Sequence, residues 1–287
     1  MNLLAQQILQ LLPEAGDVSN ALPNTVFFRV DEPHPLKPLI YQPSIYFVAQ
    51  GEKEAWLGDQ RFVYNELAYL VLTVPLPLRC RVFTASTNHP FLAVRLNINL
   101  PVLNDLLTQL PEPNNLADES KSGIFITHSN QELIDSVNRY VGTLEQPEKI
   151  SVLAPIYYRE ILFHLLQGEQ ANVLRNFAII DRQSNRIAQA IQHIHRHYAQ
   201  ALRVEELADI AAMSPSTFYE HFKNVTQHSP LQYLKNIRLH QAKNHIFADQ
   251  LPINEAAYKV GYESPSQFSR EYKRLFGHSP MQHLQQR

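Results

Sequence analysis

The chain opens on MNLLAQQILQLL, whose apolar positions recur at helical spacing until Pro13 and Gly16, and this predicts a short amphipathic helix over Met1–Leu12. Between Leu22 and Asn99 the pattern changes to short runs rich in β-branched and aromatic residues, cut by Pro23, Pro33, Pro35, Pro38, Pro43, Pro75, Pro77 and Pro90. Such runs predict strands near Ser44–Gln50, Glu52–Leu57, Gln60–Tyr64, Leu67–Thr73, Leu78–Ala85 and Phe91–Asn99. Antiparallel strands so closely spaced form a small barrel or a sandwich.

After Leu100 helical spacing returns in Val102, Leu103, Leu106, Leu107 and Leu110, and again over 130–145 and 151–168. The acid-rich, proline-containing stretch Pro111–Ser122 reads as a loop. Leu153, Ile156, Tyr157, Ile161, Leu165 and Leu166 form a wide apolar face, suited either to packing on the chain's own strands or to a helix–helix contact between subunits. From Asp181 onward every predicted element is a helix: 184–198, 204–212, 215–225, 230–247, 253–259, 265–275 and 280–285. The domain boundary is placed at 170–182.

Charge supports that boundary. Over all 287 residues the 25 Lys and Arg nearly balance 27 Asp and Glu, for a net charge of -2. Residues 1–180 hold 12 basic and 18 acidic side chains, whereas 181–287 hold 13 and 9, so only the second part suits a polyanion. The hydrophobic share of 45% is enough for packed cores. The single cysteine, Cys80, can form neither an internal disulfide nor a thiolate metal site, and its strand parity with Val82 and Thr84 predicts a buried, unreactive thiol. No run approaches the ~20 apolar residues of a spanning helix and no basic leader precedes the first helix, so a soluble, cytoplasmic chain is expected.

The most informative pattern is an internal repeat. Ser214-Pro215-Ser216, Phe218, Lys223, His228-Ser229-Pro230, Gln232 and Leu234 recur fifty residues later as Ser264-Pro265-Ser266, Phe268, Lys273, His278-Ser279-Pro280, Gln282 and Leu284. Each copy begins with a serine suited to accept a free amide hydrogen at a helix start, followed by a proline that presets the first turn. A shorter helix precedes each, joined by a tight turn in which Gly261 supplies a positive φ. Short helix, tight turn and capped helix make the helix-turn-helix pattern, over about 204–225 and 253–275. At 100° per residue Phe218, Phe222, Phe268 and Tyr272 turn inward. Ser216, Tyr219, Glu220 and Lys223, and in the second copy Ser266, Gln267, Arg270, Lys273 and Arg274, turn outward. Arg and Gln give bidentate bonds to guanine and adenine edges in a major groove, while Lys223, Lys273 and Arg274 suit phosphates. Two such helices spaced by 230–247 match the ~34 Å repeat of one duplex face.

These residues resemble the DNA-binding domain of AraC/XylS-type bacterial transcription regulators, through Val204-Glu205-Glu206-Leu207-Ala208, Met213-Ser214-Pro215, Phe218–Lys223, Arg238-Leu239 with Ala242 and Ile246, Ala257 with Val260-Gly261-Tyr262, and Phe268-Ser269-Arg270 with Tyr272-Lys273. Residues 22–100 are similar, less sharply, to the N-terminal module of one branch of that family, through Pro43-Ser44, Gln50-Gly51 with Lys53, Leu57-Gly58, Pro75-Leu76-Pro77 and Pro90-Phe91-Leu92-Ala93. The resemblance implies an α+β chain: a cupin-like antiparallel β-barrel with flanking helices over 1–175, for effector binding and dimerisation, then an all-α DNA-binding domain over 182–287. It implies a transcription regulator, an activator, with duplex DNA, a small-molecule effector, a second copy of the chain and RNA polymerase as partners. It carries base contacts onto Ser216, Tyr219, Glu220, Ser266, Gln267 and Arg270. Glu220 departs from the basic or neutral residue common there: either it accepts from a cytosine amino group or the first unit binds more weakly than the second.

An effector pocket is expected from Tyr46, Trp56, Tyr69, Arg81 and Arg95. Arg95 shares a strand face with Phe91, Ala93 and Asn97, and so meets a carboxylate in a pocket, joins a structural ion pair or lies in solvent. The competing reading is a cupin-type enzyme with a helical accessory domain. It lacks its metal ligands here, since His34, His89 and His128 are scattered, so no cofactor, no metal and no catalysis are expected.

Overall fold

The computed structural model describes residues 2–111, 122–178 and 183–285. Helix α1 (Leu3–Leu11) starts where the Asn2 side chain accepts the Ala5 amide hydrogen. The strands that follow are β1 (Gly16–Ser19), β2 (Thr25–Val30), β3 (Lys37–Tyr41), β4 (Ser44–Gln50), β5 (Glu52–Leu57), β6 (Gln60–Asn65), β7 (Ala68–Leu72), β8 (Leu76–Val82), β9 (Phe91–Asn97) and, after α2 (Leu100–Gln109), β10 (Ile124–His128). Helices α3 (Gln131–Gly142), α4 (Pro147–Leu165) and α5 (Ala171–Ala178) complete this part. The loop expected at 111–122 lies outside the described residues except for its two ends.

The strands make two antiparallel sheets, β1-β2-β9-β4-β7-β10 and β3-β8-β5-β6. Of the barrel and the sandwich that the strand spacing allowed, the chain forms the second. β1, β10, β3 and β6 each pair on one side only, so the sheets stack face to face as an open sandwich instead of closing through hydrogen bonds. Period-two alternation sorts β9 accordingly. Phe91 and Ala93 turn toward the second sheet, while Leu92, Val94 and Leu96 turn toward a layer of α1, α3 and α4 that covers the first. Tyr158 of α4 fixes that layer by donating to the Asn97 carbonyl and accepting from the Asn99 amide.

The remaining helices are α6 (Gln183–His197), α7 (Val204–Ile210), α8 (Pro215–Thr226), α9 (Pro230–Phe247), α10 (Ile253–Lys259), α11 (Pro265–Phe276) and α12 (Pro280–Gln285). They bury their apolar faces in two clusters. Phe218, Phe222, Val225 and Tyr233 are continuous with the side chains between the sheets, whereas Ala257, Val260, Phe268 and Tyr272 belong to a separate cluster under α10 and α11. Each fully buried phenylalanine contributes roughly 1.5–3 kcal/mol. Two polar links seat the first cluster on the sandwich: the Gly123 amide donates to the Val225 carbonyl at 3.1 Å, and Tyr233 Oη donates to the Pro75 carbonyl at 2.7 Å. Having given its only proton to Pro75, Tyr233 accepts from His195 Nε2 at 2.9 Å, which fixes the His195 tautomer. Burial holds His195 down to about 4, so it is neutral near pH 7.

Candidate nucleic-acid interface and effector site

The repeated Ser-Pro pairs are helix starts in all four places. Ser214 and Ser264 accept the Thr217 and Gln267 amides at the heads of α8 and α11. Ser229 and Ser279 each accept from a glutamine amide three residues on and have their own amide taken by that glutamine's Oε1, heading α9 and α12. The turns before α8 and α11 also match. Ala212 donates to Asp209 and Met213 to Ala208, as Gly261 donates to Tyr258 and Tyr262 to Ala257. Ala212 takes φ 50 where the second unit uses Gly261 at φ 91.

Arg238 of α9 locks the second turn. Its guanidinium donates to the carbonyls of Tyr198 (2.7 Å), Gln200 (2.8 Å) and Gly261 (3.0 Å), tying the α6–α7 loop to the second unit.

With Phe218, Phe222, Phe268 and Tyr272 fully buried, Ser216, Tyr219, Glu220 and Lys223 on α8 and Ser266, Gln267, Arg270, Lys273 and Arg274 on α11 all lie exposed. Two of them are held by neighbours. Ser216 Oγ lies 3.2 Å from Ser214 Oγ, and Gln267 donates its amide to Glu271 Oε1 at 3.2 Å, leaving its oxygen outward to accept. Glu271 also accepts from Lys235 of α9 (2.9 Å) and Tyr262 (2.7 Å). Burial alone would raise its carboxyl, but the bonds from Tyr262, Lys235 and Gln267 hold it below its ordinary value. A cleft of about 410 Å³ between the units is lined by Lys235, Glu271 and Arg274 among others. The Gln267–Glu271 bond is the feature that residue spacing missed, although i,i+4 separation on one helix was its signal.

The five residues expected around an effector fall on three surfaces. Tyr46 and Arg95 stand opposite each other in the β4–β9 register and face the space between the sheets. Tyr69 lies on the other face of the first sheet, 5.4 Å from Phe47 between ring centroids. Trp56 and Arg81 lie outside the second sheet, because β8 turns Leu78, Cys80 and Val82 inward and so sends Arg79 and Arg81 out. There Glu54, 1% exposed, accepts from Trp56 Nε1 (2.6 Å), Arg61 (2.6 Å) and Arg81 (2.8 Å). Burial pushes its carboxyl up, but these three donors bring it down to about 2. Arg95 makes no ion pair within 4.0 Å among the described residues.

Lys53, absent from that expectation, joins Tyr46 and Arg95 inside. It shares strand parity with the buried Ala55 and Leu57. Tyr41, Tyr64 and Cys80, all buried, belong to the same packed cluster, and burial raises the Cys80 thiol, with Lys53 acting against it.

Comparison with known proteins covers both parts of the chain. The family model described as AraC-type transcriptional regulator N-terminus matches residues 21–173, and that of a helix-turn-helix domain matches residues 207–286. The HTH-type transcriptional activator RhaS of Enterobacter sp. (strain 638) is 26% identical over 154 residues, 52% of this chain and 54% of that protein. RhaS of Yersinia pestis bv. Antiqua (strain Angola) is 27% identical over 147 residues, 49% and 52% of the two chains. The chain spans about half the length of these curated relatives. A crystal structure of wild-type ToxT from Vibrio cholerae strain SCE256, bound to an unsaturated fatty acid, superimposes with a TM-score of 0.56 at 13% identity over 91% of this chain and 93% of that one, a likeness of fold.

Proposed function

The chain belongs to the AraC-type transcriptional regulators, whose N-terminal family model spans more than half of it, and from that premise we propose that it binds duplex DNA through both helix-turn-helix units and answers to a small molecule held by its N-terminal part. One observation carries the proposal: two helices with the same caps and turns, each with its aromatic face buried and its polar face in solvent, stand in the basic part of an otherwise acidic chain. In this reading Ser216, Tyr219 and Glu220 of α8 and Ser266, Gln267 and Arg270 of α11 meet base edges. Lys223, Lys273 and Arg274 meet phosphates.

The division of labour is 1–175 for effector and dimer and 182–287 for DNA. A second copy of the chain docks on α4, whose Val152, Ile156 and Phe163 are exposed at 64%, 56% and 38%. The RhaS relatives, named as transcriptional activators, support an activating role, and the fatty acid bound to ToxT supports a small-molecule effector. The chain acts by binding and not by catalysis. Among the described residues no helix is long and apolar enough to cross a membrane.

The test is fluorescence anisotropy of the full chain on labelled duplex across a salt series. Three phosphate contacts per chain predict a slope of log K against log salt of about -3, and about -6 for a dimer. A slope near zero refutes the proposal.

A further inference from the structure

The space between the sheets holds two cations and, among the described residues, no carboxylate to meet them. Lys53 Nζ lies 5.5 Å from the ring centre of Tyr41, 5.7 Å from Phe91, 5.8 Å from Tyr46 and 5.9 Å from Phe28. Arg95 sits 5.8 Å from Phe28, and its Nε–H is buried without a hydrogen-bond partner. The buried hydroxyl of Tyr64 has none either. The buried carboxylate of the neighbouring residue, Glu54, is on the opposite face of β5 and already committed to Arg61 and Arg81.

Ring faces attract an ammonium group, but they replace only part of what water or a carboxylate supplies to a buried charge. Burial accordingly lowers Lys53 from its ordinary value, and the charge of Arg95 adds to that against the thiol's opposing pull. Lys53, Arg95 and Phe28 are half-buried while Tyr41, Tyr46, Tyr64 and Phe91 are buried, so the cations lie on the solvent side of an aromatic floor. Two neighbouring cations over aromatic rings, with no carboxylate facing them among the described residues, make a surface suited to an anion.

We propose that the effector is an organic acid, its carboxylate held between the half-buried Lys53 and Arg95 and its apolar body lying on the half-buried ring of Phe28 beside them. The inference rests on reading the N-terminal part as the effector-binding one, and it adds the ligand's chemical class and the residues that select it. The half-buried aromatic ring beside the two cations suits an acid with an apolar body, and a phosphate monoester, whose two charges could also be met by an ammonium and a guanidinium, is the competing ligand that the test must separate.

The experiment measures the melting temperature of the full chain with octanoate, 4-phenylbutyrate, their primary amides and phenyl phosphate, each up to about 10 mM, a range that detects millimolar affinity. The acids raise Tm with dose and the amides do not. In Lys53→Met and Arg95→Met the acids bind roughly 10- to 100-fold more weakly, the loss of one charge-assisted hydrogen bond. Without any acid, Lys53→Met melts at or above the wild type, because it removes a half-buried charge that faces no carboxylate among the described residues. Amides as effective as acids, phenyl phosphate better than either acid, no shift with both acids, or a Lys53→Met protein that melts below wild type overturns the inference. Duplex binding by the unliganded wild-type chain is measured on the same preparation. Its absence refutes the regulatory reading and leaves the acid result standing, whereas intact duplex binding with no acid effect refutes the acid alone.

Discussion

Gly261→Ala tests whether the turn geometry holds the second helix-turn-helix unit together. At φ 91 an L-residue costs about 1–2 kcal/mol. A Cβ there would also stand 2.4 Å from the Ala199 carbonyl oxygen and 3.0 Å from Arg238 Nη2. The oxygen belongs to backbone, so the loop after α6 must retreat, and with it the Tyr198 and Gln200 carbonyls that Arg238 holds. Losing one charge-assisted bond adds about 1.5–3 kcal/mol, for a total of roughly 3–5 kcal/mol. That is a large share of the roughly 5–15 kcal/mol available to a folded domain. Urea unfolding offers two separate reporters, because the only tryptophan, Trp56, lies on β5 while the far-ultraviolet circular dichroism is dominated by helices. The helical signal should be lost at clearly lower urea than in the wild type, with the Trp56 transition shifted less. A loss of under about 0.5 kcal/mol in both would refute the argument that the Gly261–Ala199 approach and the Arg238 clamp hold the unit.

Other outcomes follow from the same contacts. Arg270→Ala should weaken duplex binding by about 1–3 kcal/mol and relax preference at one base pair, whereas Lys273→Ala should weaken all sequences alike and flatten the salt slope by about 1; binding to a panel of single-base variants separates the two. Ala212→Gly should stabilise the first unit by roughly 0.5–1 kcal/mol, since it puts glycine at a φ of 50 that alanine adopts under strain, and thermal unfolding reads it. Tyr233→Phe leaves His195 Nε2–H and the Pro75 carbonyl unpaired at a buried junction and should cost about 1–3 kcal/mol at pH 7 by the same measurement. Acid should destabilise the chain in two stages. His195 and His240 titrate near 4 when folded against 6.5 ordinarily, so the unfolded chain gains protons first and stability falls as pH drops from 6.5 to about 4. Glu54, brought down to about 2 from 4.5, contributes fully above 4.5 and loses its contribution as pH falls toward 2, and Glu54→Gln should remove this second stage.

The helix-turn-helix units were legible because their determinants are local. Ser-Pro caps, a glycine at a positive φ and aromatic residues at helical spacing act within one or two turns, and predicted and observed helices agree to within two residues from α6 onward. β4 and β5 were likewise placed at their observed ends, Ser44–Gln50 and Glu52–Leu57. β3 was missed because Pro38 suggests a break; it is tolerated there because β3 is an edge strand. Openness of the sandwich depends on which distant strands pair, and no short stretch of residues encodes that. The candidate effector residues illustrate the limit of alternation. It groups Arg79 with Arg81, and Cys80 with Val82, but the inward set is decided by the opposite sheet. Lys53 was passed over because a lysine in a strand usually faces water, although its parity with Ala55 and Leu57 already held the contrary signal.

Whether the two helix-turn-helix units of one chain read adjacent segments of a duplex is decided by selecting bound sequences from random duplex DNA with the 287-residue chain. A bipartite site should be enriched, its two conserved blocks about 10–10.5 base pairs apart, and the block read by α11 should lose one position in Arg270→Ala. Recovery of no sequence preference, or of a single block unchanged by substitutions in α8 and α11, would contradict it.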